Sequence, residues 1–389
     1  MTDLDLSYIL NELGEDRDHY FNAVSPPIIQ SSNFSFKTTA DLRSALTDEF
    51  ENNVYSRGQN PTINILRKKL AALDGAENAL VFSSGVAAIT IPMLSLLKSG
   101  DHVVAIENAY NWTDNFLKKF LPKFGVTTTF VAGNDLSNFE NAIRKETRLI
   151  LLESPTSFVY ELQNIEAIAT LAKKHNIITL IDNSYCSPIY QQPVKLGIDL
   201  VAQSATKYIG GHSDVIAGVL TGSDVLIKQI FENEFMNFGP SLSPQSAWLL
   251  IRGLRTLPLR LQRSFESTKI ITQWLIEHRA IEKVIWPFSK NFNQSDLAHK
   301  QMKGCGGLFS FSLKDSSVEK IEKFCDQLKH ILLAVSWGGH ESLILPSIAS
   351  LSKLNYSKSI KNAQLIRMYV GLEDPQYLID DLKQSLNNM

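Results

Sequence analysis

Five short polar segments carry groups that could do chemistry together, and each follows an apolar run of strand length. Ser83-Ser84-Gly85-Val86 follows the run 79–82, and Tyr110 comes shortly after 102–106. Glu153-Ser154-Pro155-Thr156-Ser157 follows 148–152, Asp182-Asn183 follows 177–181, and Ser204-Ala205-Thr206-Lys207 follows 200–203. In an open parallel sheet, ligands bind at the carboxyl ends of the strands. On that rule one end of the sheet gathers phosphate donors, an aromatic ring, a carboxylate and a lysine. Ser84, Gly85 and Val86 would open a helix, whose free N–H groups and positive dipole end suit a phosphate. A lysine amine can take an aldehyde as a Schiff base, a carboxylate can keep a pyridine nitrogen protonated, and an aromatic ring can cover the pyridine face. These are the needs of pyridoxal 5'-phosphate. Ser204 and Thr206 are two apart, so an extended segment would point both hydroxyls at the phosphate while Lys207 turns to the aldehyde.

Each group alone has a plainer explanation. A lysine after a strand is usually a solvated surface residue, an aspartate there is often a turn former or helix cap, and Ser-Ser-Gly is common in loops. Order and placement favour the chemistry: five matched groups follow five candidate strands. A dinucleotide site lacks its signature, because no G-x-G-x-x-G occurs and Gly304-Cys305-Gly306-Gly307 lies outside a strand–helix–strand unit.

The elements that must position these groups are legible in outline. Pro61 opens a helix with Ile63, Leu66, Leu70 and Leu73 on one side, and Gly75 ends it. Apolar runs at 79–82, 102–106, 126–131, 148–152, 177–181, 200–203 and 215–220 alternate with helical patterns such as 86–97 and 165–175. Such alternation predicts strand–helix–strand units and a mainly parallel seven-stranded sheet. A long helix over 245–279 leaves that sheet for a smaller mixed segment, with a strand at 307–313 and a helix at 318–328. The expected division is an N-terminal arm (1–50), a large domain (51–245) and a smaller C-terminal α+β domain (246–389).

Composition narrows the class. The chain has 389 residues, 44% hydrophobic and 20% charged, with a formal net charge of −2. That length suits one large α/β domain with a smaller companion. The near-balance of charge argues against a nucleic-acid or anionic-membrane partner. Three scattered cysteines, with no C-x-x-C or H-E-x-x-H, predict neither a disulfide framework nor a metal site. An acidic start without a basic n-region, and no apolar run near ~18 residues, predict a cytoplasmic protein without a membrane span.

From about residue 20 to its end, the chain resembles the cystathionine-γ-synthase-like group of pyridoxal-phosphate enzymes of sulfur amino-acid metabolism. Ser204-Ala-Thr-Lys-Tyr-Ile-Gly-Gly-His-Ser-Asp214 resembles the lysine signature of the group. Tyr55-Ser-Arg-Gly-Gln-Asn-Pro-Thr62, Ser83-Ser-Gly-Val-Ala-Ala88 and Arg252-Gly-Leu-Arg-Thr-Leu257 match further motifs. The resemblance implies the aspartate-aminotransferase-type fold, fold type I. It implies that Lys207 carries the cofactor, Asp182 pairs with the pyridine nitrogen and Tyr110 stacks on the ring. Ser84, the Gly85 and Val86 backbone, Ser204 and Thr206 would hold the phosphate. Tyr55 and Arg57 would reach the site of a neighbouring subunit, Tyr55 also touching substrate. That implies a homodimer with shared active sites, assembled to a homotetramer. Ser336, Trp337 and Arg367 would bind the substrate, Arg367 through a bidentate pair with its carboxylate.

Within the group, three stretches resemble the enteric type of cystathionine β-lyase. They are Val335-Ser-Trp-Gly-Gly-His-Glu-Ser-Leu-Ile-Leu345, Leu365-Ile-Arg-Met-Tyr-Val-Gly-Leu-Glu-Asp374 and Glu153-Ser-Pro-Thr-Ser157. Trp337 stands where many γ-acting relatives carry leucine. The expected reaction is β-elimination from a small sulfur amino acid, cystathionine yielding homocysteine, pyruvate and ammonia. Other features pull away. Ser157-Phe158 replaces the usual Asn-Pro, Trp112 places a bulky ring near the site, His340 replaces an aromatic or small residue, and Asn60-Pro61-Thr62 resembles the γ-acting branch. A γ-acting synthase, sulfhydrylase or lyase thus stays open, as does a non-catalytic binding protein, against which the intact Lys207, Asp182 and Arg367 speak.

Overall fold

The computed structural model describes residues 4–350 and 362–389. The extreme N-terminal residues of the acidic start lie outside the described residues.

Seven strands form the first sheet: β1 (Asn78–Phe82), β2 (His102–Ile106), β3 (Thr127–Val131), β4 (Thr147–Glu153), β5 (Ile178–Asp182), β6 (Leu200–Gln203) and β7 (Gly218–Gly222). Their order is β1-β7-β6-β5-β4-β2-β3. The pairs β2–β3, β2–β4, β4–β5 and β5–β6 are parallel, and β7 runs antiparallel to both of its neighbours. Inner strands such as β2 and β4 read as apolar runs because both faces are covered, while the edge strand β3 is Thr-rich and half-exposed. Leu149 and Leu151 face one apolar cluster, while Ile150 and Leu152 face another on the opposite side. The helices at Gly85–Leu96 and Ile165–Lys174 lie close to the expected spans.

Sequence punctuation works where it is strong. The helix Pro61–Asp74 starts with Asn60 capping the Thr62 amide and Pro61 in its first turn, and stops at Gly75 with φ 70°. The stretch expected as an arm holds helices of its own, Leu6–Asn11 and Thr39–Thr47. It is pinned by Lys69, whose buried ammonium donates to the carbonyls of Ile9 and Leu10 and meets Glu15 at 3.1 Å.

The expected strand at 215–220 begins only at Gly218. The Ala217 amide donates to the Thr206 hydroxyl (3.0 Å), and the Ala217 carbonyl accepts from the Thr206 amide and hydroxyl (both 3.2 Å). Ala217 is therefore tied to the Lys207 loop.

The long helix is Pro244–Glu277, 34 residues, capped by Ser243. It crosses beneath the Lys207 loop so closely that a Cβ on Gly253 would collide with the backbone of Ile209 and Gly210. Arg260 from this helix donates to the Tyr208 carbonyl at 2.8 Å. Beyond it stand β8 (Ile281–Ile285), β9 (Leu308–Leu313), β10 (Leu332–Leu333), β11 (Leu343–Pro346) and β12 (Ile366–Tyr369), in the order β10-β11-β12-β9-β8. Among the described residues, no helix is long and apolar enough to cross a membrane, and no group of three His, Cys, Asp or Glu residues could hold a metal ion.

Candidate active site

Asp182 ends β5 and Glu153 ends β4, as in-register neighbours. Burial raises the Asp182 pKa against the pull of its hydrogen bonds from Ser184 and of the Lys207 charge. The Ser184 amide donates to Asp182 Oδ1 at 2.9 Å, and the Ser184 hydroxyl accepts the Ser204 amide at 2.6 Å. One serine thus couples the carboxylate to the Lys207 loop. Tyr110 sits at the start of a short helix, with its amide on Glu153 Oε2 at 2.6 Å. Burial, and then the Asp182 and Glu153 charges, raise the pKa of its phenol.

Lys207 follows β6 in a turn, not in an extended segment: its amide donates to the Ser204 carbonyl at 3.1 Å, and its carbonyl accepts from Gly211 at 2.7 Å. This corrects the expected extended arrangement. Ser204 and Thr206 do not point side by side from a strand, and the Thr206 hydroxyl is engaged with Ala217. Ser204 instead packs on Gly85, where an added Cβ would stand 2.8 Å from its Oγ. Ser84 caps the helix Gly85–Leu96 by accepting the Ala87 amide. The amides of Gly85 and Val86 belong to the first turn, where no intrahelical acceptor exists. Free amides, a serine and a helix dipole together are a fit place for a phosphate.

The Lys207 ammonium donates to the Ser336 hydroxyl at 2.6 Å and lies 5.3 Å from the centre of the Trp337 ring. Burial, then the nearby Arg367 charge, lowers its pKa to about 8. Ser336 has a positive φ of 79°, a conformation that a residue with a Cβ rarely adopts. Its carbonyl accepts from Arg367 at 3.2 Å, so both ends of the residue are held. A Cβ on Gly338, at φ 89°, would press into the Lys207 backbone, so the 336–339 loop needs glycine there. Ser213, six residues after Lys207, donates to Glu341 at 2.5 Å and ties the two loops together. Arg367 is half-buried in β12 with its guanidinium over the Phe158 ring at 5.3 Å.

Not every expected residue joins this cluster. Tyr55 is 46% exposed, and Arg57 runs along its ring at 5.5 Å and against Gly239. Tyr55 forms an isolated bridge with Asn33, and the chain turns over residues 56–58. Among the described residues, no hydrogen bond or ion pair joins either side chain to Lys207, Asp182 or Ser204. Trp112 is also exposed and lines a surface hollow with Asn111, Asp114, Asn115, Lys118 and Lys119. His340 points outward onto Glu341 at 3.1 Å. Sequence reasoning gave no role to Glu153, Ser184, Ser213 or Glu341. The position of Glu153 just before Ser154-Pro155 was a usable signal. Nothing local marks the others.

The donors present fit pyridoxal phosphate: an amine of lowered pKa, a half-buried carboxylate at a strand end and free amides at a helix start. Comparison with known proteins agrees. The chain is 38% identical over 370 residues to a cystathionine gamma-lyase of Sus scrofa, covering 94% of this chain and 89% of that protein. It is 33% identical over 393 residues to an L-alanine/L-glutamate racemase of Wolbachia pipientis, covering 97% and 96%. A crystal structure of metB from Corynebacterium glutamicum superposes with a TM-score of 0.91 at 34% identity, covering 99% of this chain and 98% of that one. A family-wide sequence profile described as Cys/Met metabolism PLP-dependent enzyme matches residues 9–387, and the chain belongs to that family, a fold type I pyridoxal-phosphate protein.

Proposed function

We propose that this member of the family is a carbon–sulfur lyase that performs β-elimination on cystathionine, giving homocysteine, pyruvate and ammonia. The observation that carries the reading is the confinement of Lys207, between the Ser336 hydroxyl on one side and the Trp337 indole on another. Pyridoxal phosphate, when bound, supplies an aldehyde for the amine and a ring that accepts electrons from a broken bond at Cα. Everything else is the work of side chains. Asp182 would keep the pyridine nitrogen protonated, and Tyr110 would cover the ring. Ser84, Gly85, Val86, Ser204 and Thr206 would hold the phosphate, Thr206 chiefly by shaping the loop. Arg367 and Ser336 take the substrate carboxylate. Lys207 removes the Cα proton, and Lys207 or Tyr110 returns a proton to the departing sulfur. β-Elimination asks the amine to work at one carbon. γ-Elimination needs a second proton taken at Cβ, hence a lysine free to swing along the substrate, and Trp337 narrows that path.

Two further parts belong to this reading. The chain divides into an arm (1–50), a cofactor-binding domain (51–245) and a smaller domain (246–389). Tyr55 and Arg57, exposed and apart from their own Lys207, complete the site of a second copy in a homodimer or homotetramer. γ-Elimination is the second reading, favoured by the 38% identity to a cystathionine gamma-lyase. The purified enzyme given cystathionine tests both: pyruvate with homocysteine is expected. 2-Oxobutanoate with cysteine would replace β- by γ-elimination. Deuterium uptake at Cα of alanine without either keto acid would overturn lyase action.

A further inference from the structure

Residues 108–110 bend between β2 and the helix that begins at Asn111. The Tyr110 amide ties that bend to the end of β4, through Glu153 Oε2 at 2.6 Å. The other oxygen, Oε1, accepts the Ser157 hydroxyl at 2.9 Å. Glu153 is buried and stands beside the Asp182 carboxyl, a costly place for a second acid. Burial, and then the Asp182 charge, push its pKa up. A buried acid held by two donors at this cost points to a role beyond packing.

We infer that Glu153 is a positioning residue: by holding the Tyr110 amide, it sets the height and tilt of the Tyr110 ring over the cofactor. The inference rests on the stacking role given to Tyr110 and is indifferent to which carbon–sulfur bond is cut. A ring on a bend that has lost its tether would sit over the cofactor part of the time, with weaker hold and less fixed asymmetry.

The test compares holoenzymes of Glu153→Ala, Glu153→Asp, Glu153→Gln, Tyr110→Ala and the double variant with both alanines. Two readouts do not depend on turnover: the rate of cofactor loss on dilution, and the visible circular dichroism of the bound cofactor. Glu153→Ala is expected to speed cofactor loss by about 3- to 10-fold, the worth of one aromatic stack, and to weaken the dichroism. Glu153→Asp, one methylene shorter, shows the same change in smaller measure and carries the test if the alanine variant does not fold. Glu153→Gln keeps a carbonyl oxygen for the Tyr110 amide and restores both readouts. The double variant matches Tyr110→Ala alone, because the glutamate acts through the tyrosine. If Tyr110→Ala changes both readouts while the Glu153 effects are absent, add fully to it or are not restored by glutamine, the positioning role is overturned and the stacking role stands. If Tyr110→Ala changes neither, both are overturned.

Discussion

The two sheets contribute to the site in different ways. On the seven-stranded sheet, Glu153 and Asp182 are the last residues of β4 and β5, Ser84 and Gly85 follow β1, and Ser204 follows β6. Their positions follow from strand order and from the rule that parallel strands end on one side. On the five-stranded sheet, Arg367 lies within β12, and Ser336 and Trp337 lie in the loop between β10 and β11. That loop owes its shape to contacts: a positive φ at Ser336, the Arg367 bond to its carbonyl, the Lys207 bond to its hydroxyl and the glycine at 338. On the proposed reading, the cofactor side of the site is thus an output of topology, and the substrate side an output of docking.

The largest expected effect strikes the hinge of the comparison. Lys207→Ala should abolish the visible absorbance of the bound cofactor and lower turnover by at least ~10³-fold, since the one group is both anchor and base. If the proposed shared site holds, Arg57→Ala should be inactive for another reason, loss of a group reaching the neighbouring subunit. Re-associating the two variants should then build one intact site per mixed dimer. Activity that fails to return in demonstrably mixed dimers would confine each site to one chain.

An intermediate effect separates docking from topology. Arg367→Lys keeps the charge but loses the planar fork, and should lower kcat/KM by ~10- to 100-fold, mostly through KM. Arg367 also helps hold the Lys207 pKa at about 8, after the larger effect of burial. A neutral amine is the form that captures the cofactor aldehyde, so capture by the cofactor-free protein should rise with pH through about 8. Arg367→Leu removes a neighbouring cation and should move that rise to higher pH. Burial persists, so the profile should stop short of the ordinary lysine value of 10.5. An unmoved profile would mean that the second sheet has no electrostatic hold on the amine.

The smallest effect concerns tuning. Trp337→Leu should leave cofactor binding alone, slow pyruvate formation about 3- to 10-fold and raise the share of 2-oxobutanoate, by removing a ring that flanks the lysine. Product analysis of both proteins on one substrate decides it. An unchanged ratio would make Trp337 a packing residue beside Tyr208, whose ring centre lies 5.3 Å away.

Sequence alone determined the parts of this protein that depend on near neighbours. Strand β2 occupies the expected residues 102–106 because five consecutive apolar or half-apolar residues can only be buried on both faces. The helix Pro61–Asp74 begins and ends at its proline and glycine because those residues fix the backbone locally. The placement of Asp182 and Lys207 at one edge of the sheet was legible because polar groups directly after apolar runs fall at the ends of parallel strands. Tertiary structure decided the rest. The Lys207 segment was expected extended and is a turn, since Thr206 binds Ala217, eleven residues on, and Arg260 holds Tyr208 from the long helix. No local pattern announces a hydrogen bond between residues 129 positions apart, as Lys207 and Ser336 are. Such contacts form only once two sheets have packed, when burial makes each unpaired polar group costly enough to choose its partner.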